Sequence, residues 1–200
     1  MVKINFSALI AKTLNWQFVF FLSVIILCSI LEFTGMKPLL RYDRALVDAG
    51  QWYRLITANF VHLNTSHLLL NMPTTSLVMF FFSRHLSLGK WVMLLLISCL
   101  FVSVGLYIFN PEVKSYVGLS GVLHGLFIVG AAKEIKHFPV SGWLLLGVFA
   151  VKLAWEQLYG AMPGSESVVN GVVLVDSHLY GAIAGVFFIV ILYLFDGKKR

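Results

Sequence analysis

Long apolar runs separated by short polar breaks dominate this chain, and the runs are of membrane length. A hydrocarbon core about 30 Å thick is crossed by about 20 apolar helical residues. Six runs approach that length: Asn15–Leu31, His67–Phe82, Trp91–Phe109, Val117–Ala132, Val140–Leu158 and Ser177–Phe195. No Ser/Gly-rich linker, low-complexity tract or repeat divides them. The pattern predicts an all-α polytopic membrane protein, six transmembrane helices in a single domain over residues 1–200. The first run is not read as a cleaved leader, because it lacks a small-residue cleavage site and five more runs follow. The breaks are uneven. Residues 32–66 form a long connection that interleaves aromatics with charges, Trp52, Tyr53 and Arg54 among them. That segment is expected to have structure of its own at the membrane surface, where Trp and Tyr rings are favoured.

Composition agrees and excludes a soluble domain. Hydrophobic residues make up 59% and charged residues 12%, against roughly half and about a quarter in globular proteins. The net charge of +6 could suggest nucleic acid, but its placement points to the bilayer instead. With a cytoplasmic N-terminus, the inner segments hold Lys3, Lys12, Arg84, Lys90, Lys133, Lys136, Lys198, Lys199 and Arg200. The outer segments hold fewer: Lys37, Arg41, Arg44, Arg54, Lys114 and Lys152. Excess Lys and Arg on short inner loops predicts both termini inside. Cys28 and Cys99 lie within apolar runs, away from any CxxC spacing, and read as packing residues.

Polar residues inside apolar spans carry the functional signal, since they cost free energy unless satisfied. The second span opens with His67 and, one turn on, Asn71 on the same helical face. The fourth opens with Gly118, Leu119, Ser120 and Gly121, then His124 and Gly125. The sixth opens with Asp176, Ser177 and His178, followed by Gly181 and Gly185. All three spans run from outside to inside, so their polar openings share one depth. The pairs Gly121/Gly125 and Gly181/Gly185 have the small-xxx-small spacing that lets membrane helices approach closely. If those faces pack, Ser120 meets His178, the minimum for an activated serine nucleophile. His67 and Asn71, with the Ser120 backbone N–H, would supply donors for a developing oxyanion.

Each residue alone has a plainer meaning. Ser120 is a small packing residue, Asn71 an interhelical hydrogen-bond partner, His67 an interfacial residue and His178 a helix-end cap. Their coincidence at one depth favours the site. His124, four residues after Ser120, is a second candidate base; it ranks below His178 because a base on another helix can approach along the hydroxyl. His62 either supports the site or faces water. His85 and His137 sit at inner loop ends and read as solvated or headgroup-contacting. Lys152, Trp155 and Glu156 read as snorkelling and interface residues. No HExxH or comparable ligand spacing occurs, so neither metal nor other cofactor is expected.

Taken in order, Tyr53-Arg54, His67-x-x-x-Asn71, Gly118-Leu119-Ser120-Gly121 and His178-x-x-Gly181-x-x-x-Gly185 resemble the rhomboid intramembrane serine proteases over nearly the whole chain. The resemblance implies a rhomboid-like bundle with Ser120 as nucleophile and His178 as general base. It also implies that His67 and Asn71 line the oxyanion hole beside Gly118, in a dyad that needs no acid. Asp176 is therefore left out. The small size and the run from Gly118 to Gly125 look like the bacterial rhombosortases. That resemblance implies membrane-anchored substrates bearing a Gly-Gly motif, a membrane helix and a basic tail. It places the protein in a bacterial inner membrane with its site on the periplasmic side. His124 stands where many rhomboids have an aromatic residue, and Tyr53-Arg54 replaces a Trp-Arg pair. The alternatives are an inactive rhomboid-like client-binding protein, a general rhomboid protease with other single-span substrates, and a small transporter. The transporter would want ionisable residues near mid-membrane, which these spans scarcely offer. Oligomeric state is left open by the sequence.

Overall fold

The computed structural model describes residues 15–196. Lys3, Lys12, Lys198, Lys199 and Arg200, on which much of the inner-side charge argument rests, lie outside the described residues. The chain runs α1 (Trp16–Phe33), α2 (Lys37–Leu40), β1 (Tyr42–Asp43), α3 (Arg44–Asp48) and α4 (Arg54–Thr57), then a 3-10 turn at Ala58–Phe60. It continues with α5 (Thr65–Phe82), a 3-10 turn at Ser83–His85, α6 (Leu88–Phe109), β2 (Ser115–Tyr116) and α7 (Ser120–Glu134). It ends with α8 (Pro139–Tyr159), α9 (Ser165–Val169) and α10 (Val175–Asp196).

Local chemistry sets where these helices begin. The Asn15 side chain accepts from the N–H groups of Gln17 and Phe18 and starts α1. Asn64 accepts from His67 N–H, so α5 starts at Thr65, two residues before the apolar pattern suggested. Helix α7 starts at Ser120, three residues later than Val117, because Gly118 has φ +128° and cannot be helical.

Four helices, α1, α6, α8 and α10, are long and apolar enough to cross a membrane. The two remaining long helices fall short for different reasons. Helix α5 carries His67, Asn71, Pro73, Thr74 and Thr75. Helix α7 has 15 residues, about 22 Å at 1.5 Å per residue against a core of about 30 Å. Both are the helices that bear candidate residues. Helix α7 is the centre of the bundle, packed by α5, α6, α8 and α10. Its Val122, Leu123 and Leu126 join Phe21, Trp91 and Phe188 in the main core. Ile26 and Ile30 of α1, Val140, Leu144 and Val148 of α8 and Val190 of α10 remain uncovered. That is a surface suited to hydrocarbon tails and not to water.

Glycine decides how closely α7 and α10 approach. A Cβ on Gly121 would lie 2.7 Å from Ser177 O, and one on Gly125 2.7 Å from Gly181 O. A Cβ on Gly181 would overlap the Gly121 carbonyl, and one on Gly185 would lie 2.7 Å from Gly125 O. No larger residue fits these positions without separating the helices.

The all-α expectation has one small exception. Strands β1 and β2 pair antiparallel, Tyr42 opposite Tyr116 and Asp43 opposite Ser115. This pairing ties the 32–66 connection to the segment leading into Ser120. Arg54, only 3% exposed, holds that connection together by donating to Pro38 O, Arg41 O and Gln51 Oε1. Arg44 donates to the carbonyls of Leu106, Tyr107 and Asn110, satisfying the end of α6. Trp52 stays exposed on the outside of this assembly.

Candidate active site

Ser120 is the first residue of α7, where the helix N–H groups lack partners within the helix. Its Oγ lies 3.1 Å from Nε2 of His178, in the first turn of α10. His178 is 6% exposed, and its Nδ1 lies 3.0 Å from Glu156 Oε2 on α8. Lys152, one turn before Glu156, donates to Glu156 Oε1 at 2.7 Å and lies 2.9 Å from His124 Nε2. His124 closes the circuit, its Nδ1 2.7 Å from the Ser120 carbonyl oxygen. The His124 ring also stacks on His178, with centroids 4.1 Å apart and planes 10° from parallel.

Two sequence expectations are corrected here. Glu156 is not an interface residue; it is 3% exposed and faces His178. Lys152, its side chain 31% exposed, directs its ammonium inward to Glu156 and His124 instead of only snorkelling. Their i,i+4 spacing puts both on the face of α8 that packs on α7 and α10. That spacing, together with the cost of ionisable groups in an apolar span, was the signal that could have identified them. Trp155 does remain substantially exposed.

The remaining candidates form a second group around α5. Gly118 and His67 are in close contact, since a Cβ on Gly118 would fall 2.6 Å from His67 Cε1. Gly118 N–H donates to Ala58 O, and its carbonyl accepts from Tyr116 Oη at 2.7 Å. Burial pushes the Tyr116 phenol up from its ordinary value, so it stays a neutral donor. His62 packs edge-on against His67, with centroids 5.2 Å apart. It is fully buried, which removes the water-facing alternative. Burial first, then the neighbouring His67 and Lys37, push His62 down to about 3 and keep it neutral. Among the described residues, both His62 ring nitrogens, His67 Nδ1 and Asn71 Nδ2 are buried without a hydrogen-bond partner.

A cavity of about 160 Å³ is bounded by Lys37, Arg41, His67, Tyr116, Ser120 and Ser177. Asn71, one turn further along α5, does not line it. Asp176 lies apart from the His178 ring and accepts from Asn110 Nδ2 at 2.7 Å. At the other end of the bundle, His85 Nε2 meets Glu134 Oε2 at 2.5 Å and the His85 ring stacks on His137. Those two histidines are thus partnered within the protein. Ligand atoms of His124, Glu156 and His178 lie within 4.8 Å of one another. That is close enough to share a cation, and the Lys152 ammonium already supplies positive charge there.

Residues 49–195, which hold this serine, this imidazole and the helices that carry them, match the Rhomboid domain. The chain belongs to the rhomboid family. It is similar to "Rhomboid-like protein 11, chloroplastic" of Arabidopsis thaliana, 25% identical in an alignment 199 positions long that covers 94% of this chain and 68% of that protein. It is also similar to "Putative rhomboid protease YdcA" of Bacillus subtilis (strain 168), 27% identical over 139 residues. That match covers 70% of this chain and 66% of the relative. The chain thus spans about two thirds of the length of each relative. Rhomboid proteases act on membrane-protein substrates within the bilayer, and this rhomboid domain carries apolar helices suited to that setting.

Proposed function

We propose that this rhomboid is an intramembrane serine endopeptidase with Ser120 as nucleophile and His178 as general base. The observation that carries the proposal is the 3.1 Å contact between Ser120 Oγ and His178 Nε2. In the reaction, Ser120 Oγ bonds to the scissile carbonyl carbon while its proton passes to His178 Nε2. His178 then returns that proton to the leaving amine, and water hydrolyses the acyl-enzyme by the same route. The negative oxygen formed on attack is stabilised by the Ser120 backbone N–H, His67 and Asn71. Unpartnered buried donors suit that task, because they meet no competing acceptor in the resting protein.

In this proposal all six long helices span the bilayer, with both termini in the cytoplasm and Ser120 towards the periplasmic side of a bacterial inner membrane. The short α7 crosses because neighbouring helices enclose it and its start opens onto the cavity beside Ser120. The substrates are membrane-anchored proteins in which a Gly-Gly motif precedes a membrane helix and a basic tail, as in the rhombosortases. Two features support small residues at the cut. An intact helix hides its carbonyls, and glycine lets the chain leave the helix cheaply. The cavity beside Ser120 holds about 160 Å³, below the roughly 300 Å³ at which drug-sized pockets begin. A single-span reporter with Gly-Gly before its helix, co-reconstituted in liposomes, tests this. Cleavage at the Gly-Gly region that disappears in Ser120→Ala is expected; an uncut reporter overturns the substrate assignment.

A further inference from the structure

We propose that Glu156 completes a serine–histidine–glutamate unit, holding the His178 imidazole in the tautomer and orientation a general base requires, with Lys152 as its counter-charge. The proposal rests on the serine protease function above and goes past the two-residue unit that the family resemblance implies. Glu156 touches neither Ser120 nor the cavity, so it is a positioning residue.

Donor inventories fix the direction of every bond in the cluster. A lysine ammonium has donors only, so Glu156 Oε1 and His124 Nε2 both accept from Lys152. Neutral His124 then carries its proton on Nδ1 and donates it to the Ser120 carbonyl oxygen at 2.7 Å. A carboxylate only accepts, so His178 Nδ1 carries its proton and donates to Glu156 Oε2 at 3.0 Å. His178 Nε2 is left with its lone pair facing Ser120 Oγ at 3.1 Å, the arrangement that proton abstraction needs. The opposite tautomer would set the Nδ1 lone pair against the Glu156 carboxylate and spend the single N–H on Ser120 Oγ, leaving no base facing the hydroxyl.

Geometry and charge both favour this arrangement. His178 is held edgewise by Glu156 and flat by the His124 ring, so it cannot turn away from the serine. When His178 takes the Ser120 proton, the new positive charge arises beside a carboxylate already in place. Glu156 itself gains and loses no proton. One carboxylate and one ammonium leave the resting cluster without net charge, as a buried ionic group requires.

The test uses the full purified chain in detergent micelles and a fluorophosphonate probe, with the rate constant and the binding constant of labelling measured separately. Glu156→Gln is expected to slow the labelling rate constant by about 10²–10⁴-fold with unchanged probe binding. Glu156→Asp, which restores a carboxylate one methylene further back, is expected to label about tenfold faster than Glu156→Gln. A merely structural role would instead reduce the fraction of protein labelled and leave its rate alone. If the lone change prevents folding, Lys152→Met with Glu156→Gln removes both charges together and is expected to label as slowly. Wild-type labelling rates in Glu156→Gln or in that double variant would overturn the proposal. A wild-type chain that is not labelled at Ser120 overturns the protease function and this proposal with it. A labelled chain that leaves the Gly-Gly reporter uncut overturns the substrate assignment alone.

Discussion

The cluster between α7, α8 and α10 and the group around α5 both use buried histidines, to opposite ends. In the first, Ser120, His124, Lys152, Glu156 and His178 bond one another in a continuous chain. In the second, His62, His67 and Asn71 are packed close together yet leave ring nitrogens and an amide without partners among the described residues. Closed bonding fixes a proton's position before reaction. Open donors are unfavourable in the resting protein, and they become useful when a negative oxygen arrives. A base and an oxyanion hole thus differ in what they need, and the two sides of this site differ in the same way.

Substitutions can break that contrast or sharpen it. The largest effects belong to the closed side. Ser120→Ala should abolish fluorophosphonate labelling, and His178→Ala should slow it by about 10⁴–10⁶-fold, scored by labelling rate in purified protein. Labelling of His178→Ala at the wild-type rate, with His124→Phe inactive, would transfer the base to His124. On the open side, Asn71→Ala should cut reporter cleavage by about 10²–10³-fold. Its melting temperature should stay level or rise, because the substitution removes a buried amide with an unpartnered donor. A large drop in melting temperature for Asn71→Ala would show that its amide is a structural bond and erase the distinction.

Gly118→Ala joins the two sides and should fail on both. It forces a side chain into φ +128° and against the His67 ring, at a cost of about 1–3 kcal/mol, read by thermal unfolding. Acid sensitivity from His62 comes last because it is absent at neutral pH. Its folded-state value is pushed down to about 3 from an ordinary 6.5, so the unfolded chain binds the proton first as pH falls. Stability from this residue is therefore complete above pH 6.5 and lost as pH falls from there towards 3. His62→Phe should flatten the fall in melting temperature over that range; an unchanged slope would remove His62 from the cause.

Much of this was legible in the chain. The apolar runs located the long helices to within a few residues, and Gly121, Gly125, Gly181 and Gly185 mark the contact the structure forms. His67, Ser120 and His178 stood out because polar groups are rare where apolar runs are long. The start of α7 was misplaced because a glycine at positive φ looks like any other glycine in sequence. The β1–β2 pair was invisible, since two residues per strand show no alternation. Glu156 was passed over because a lysine and a glutamate near a helix end match snorkelling equally well. Which face of α8 they share with His178 depends on packing, and spacing alone could not decide it.

The most direct measurement is the mass of the fluorophosphonate adduct on proteolytic peptides of the wild-type chain and of His178→Ala. A Ser120–His178 mechanism requires the adduct on Ser120 in the wild type and almost none in the variant. An adduct on another hydroxyl, or equal modification of Ser120 without His178, would contradict it.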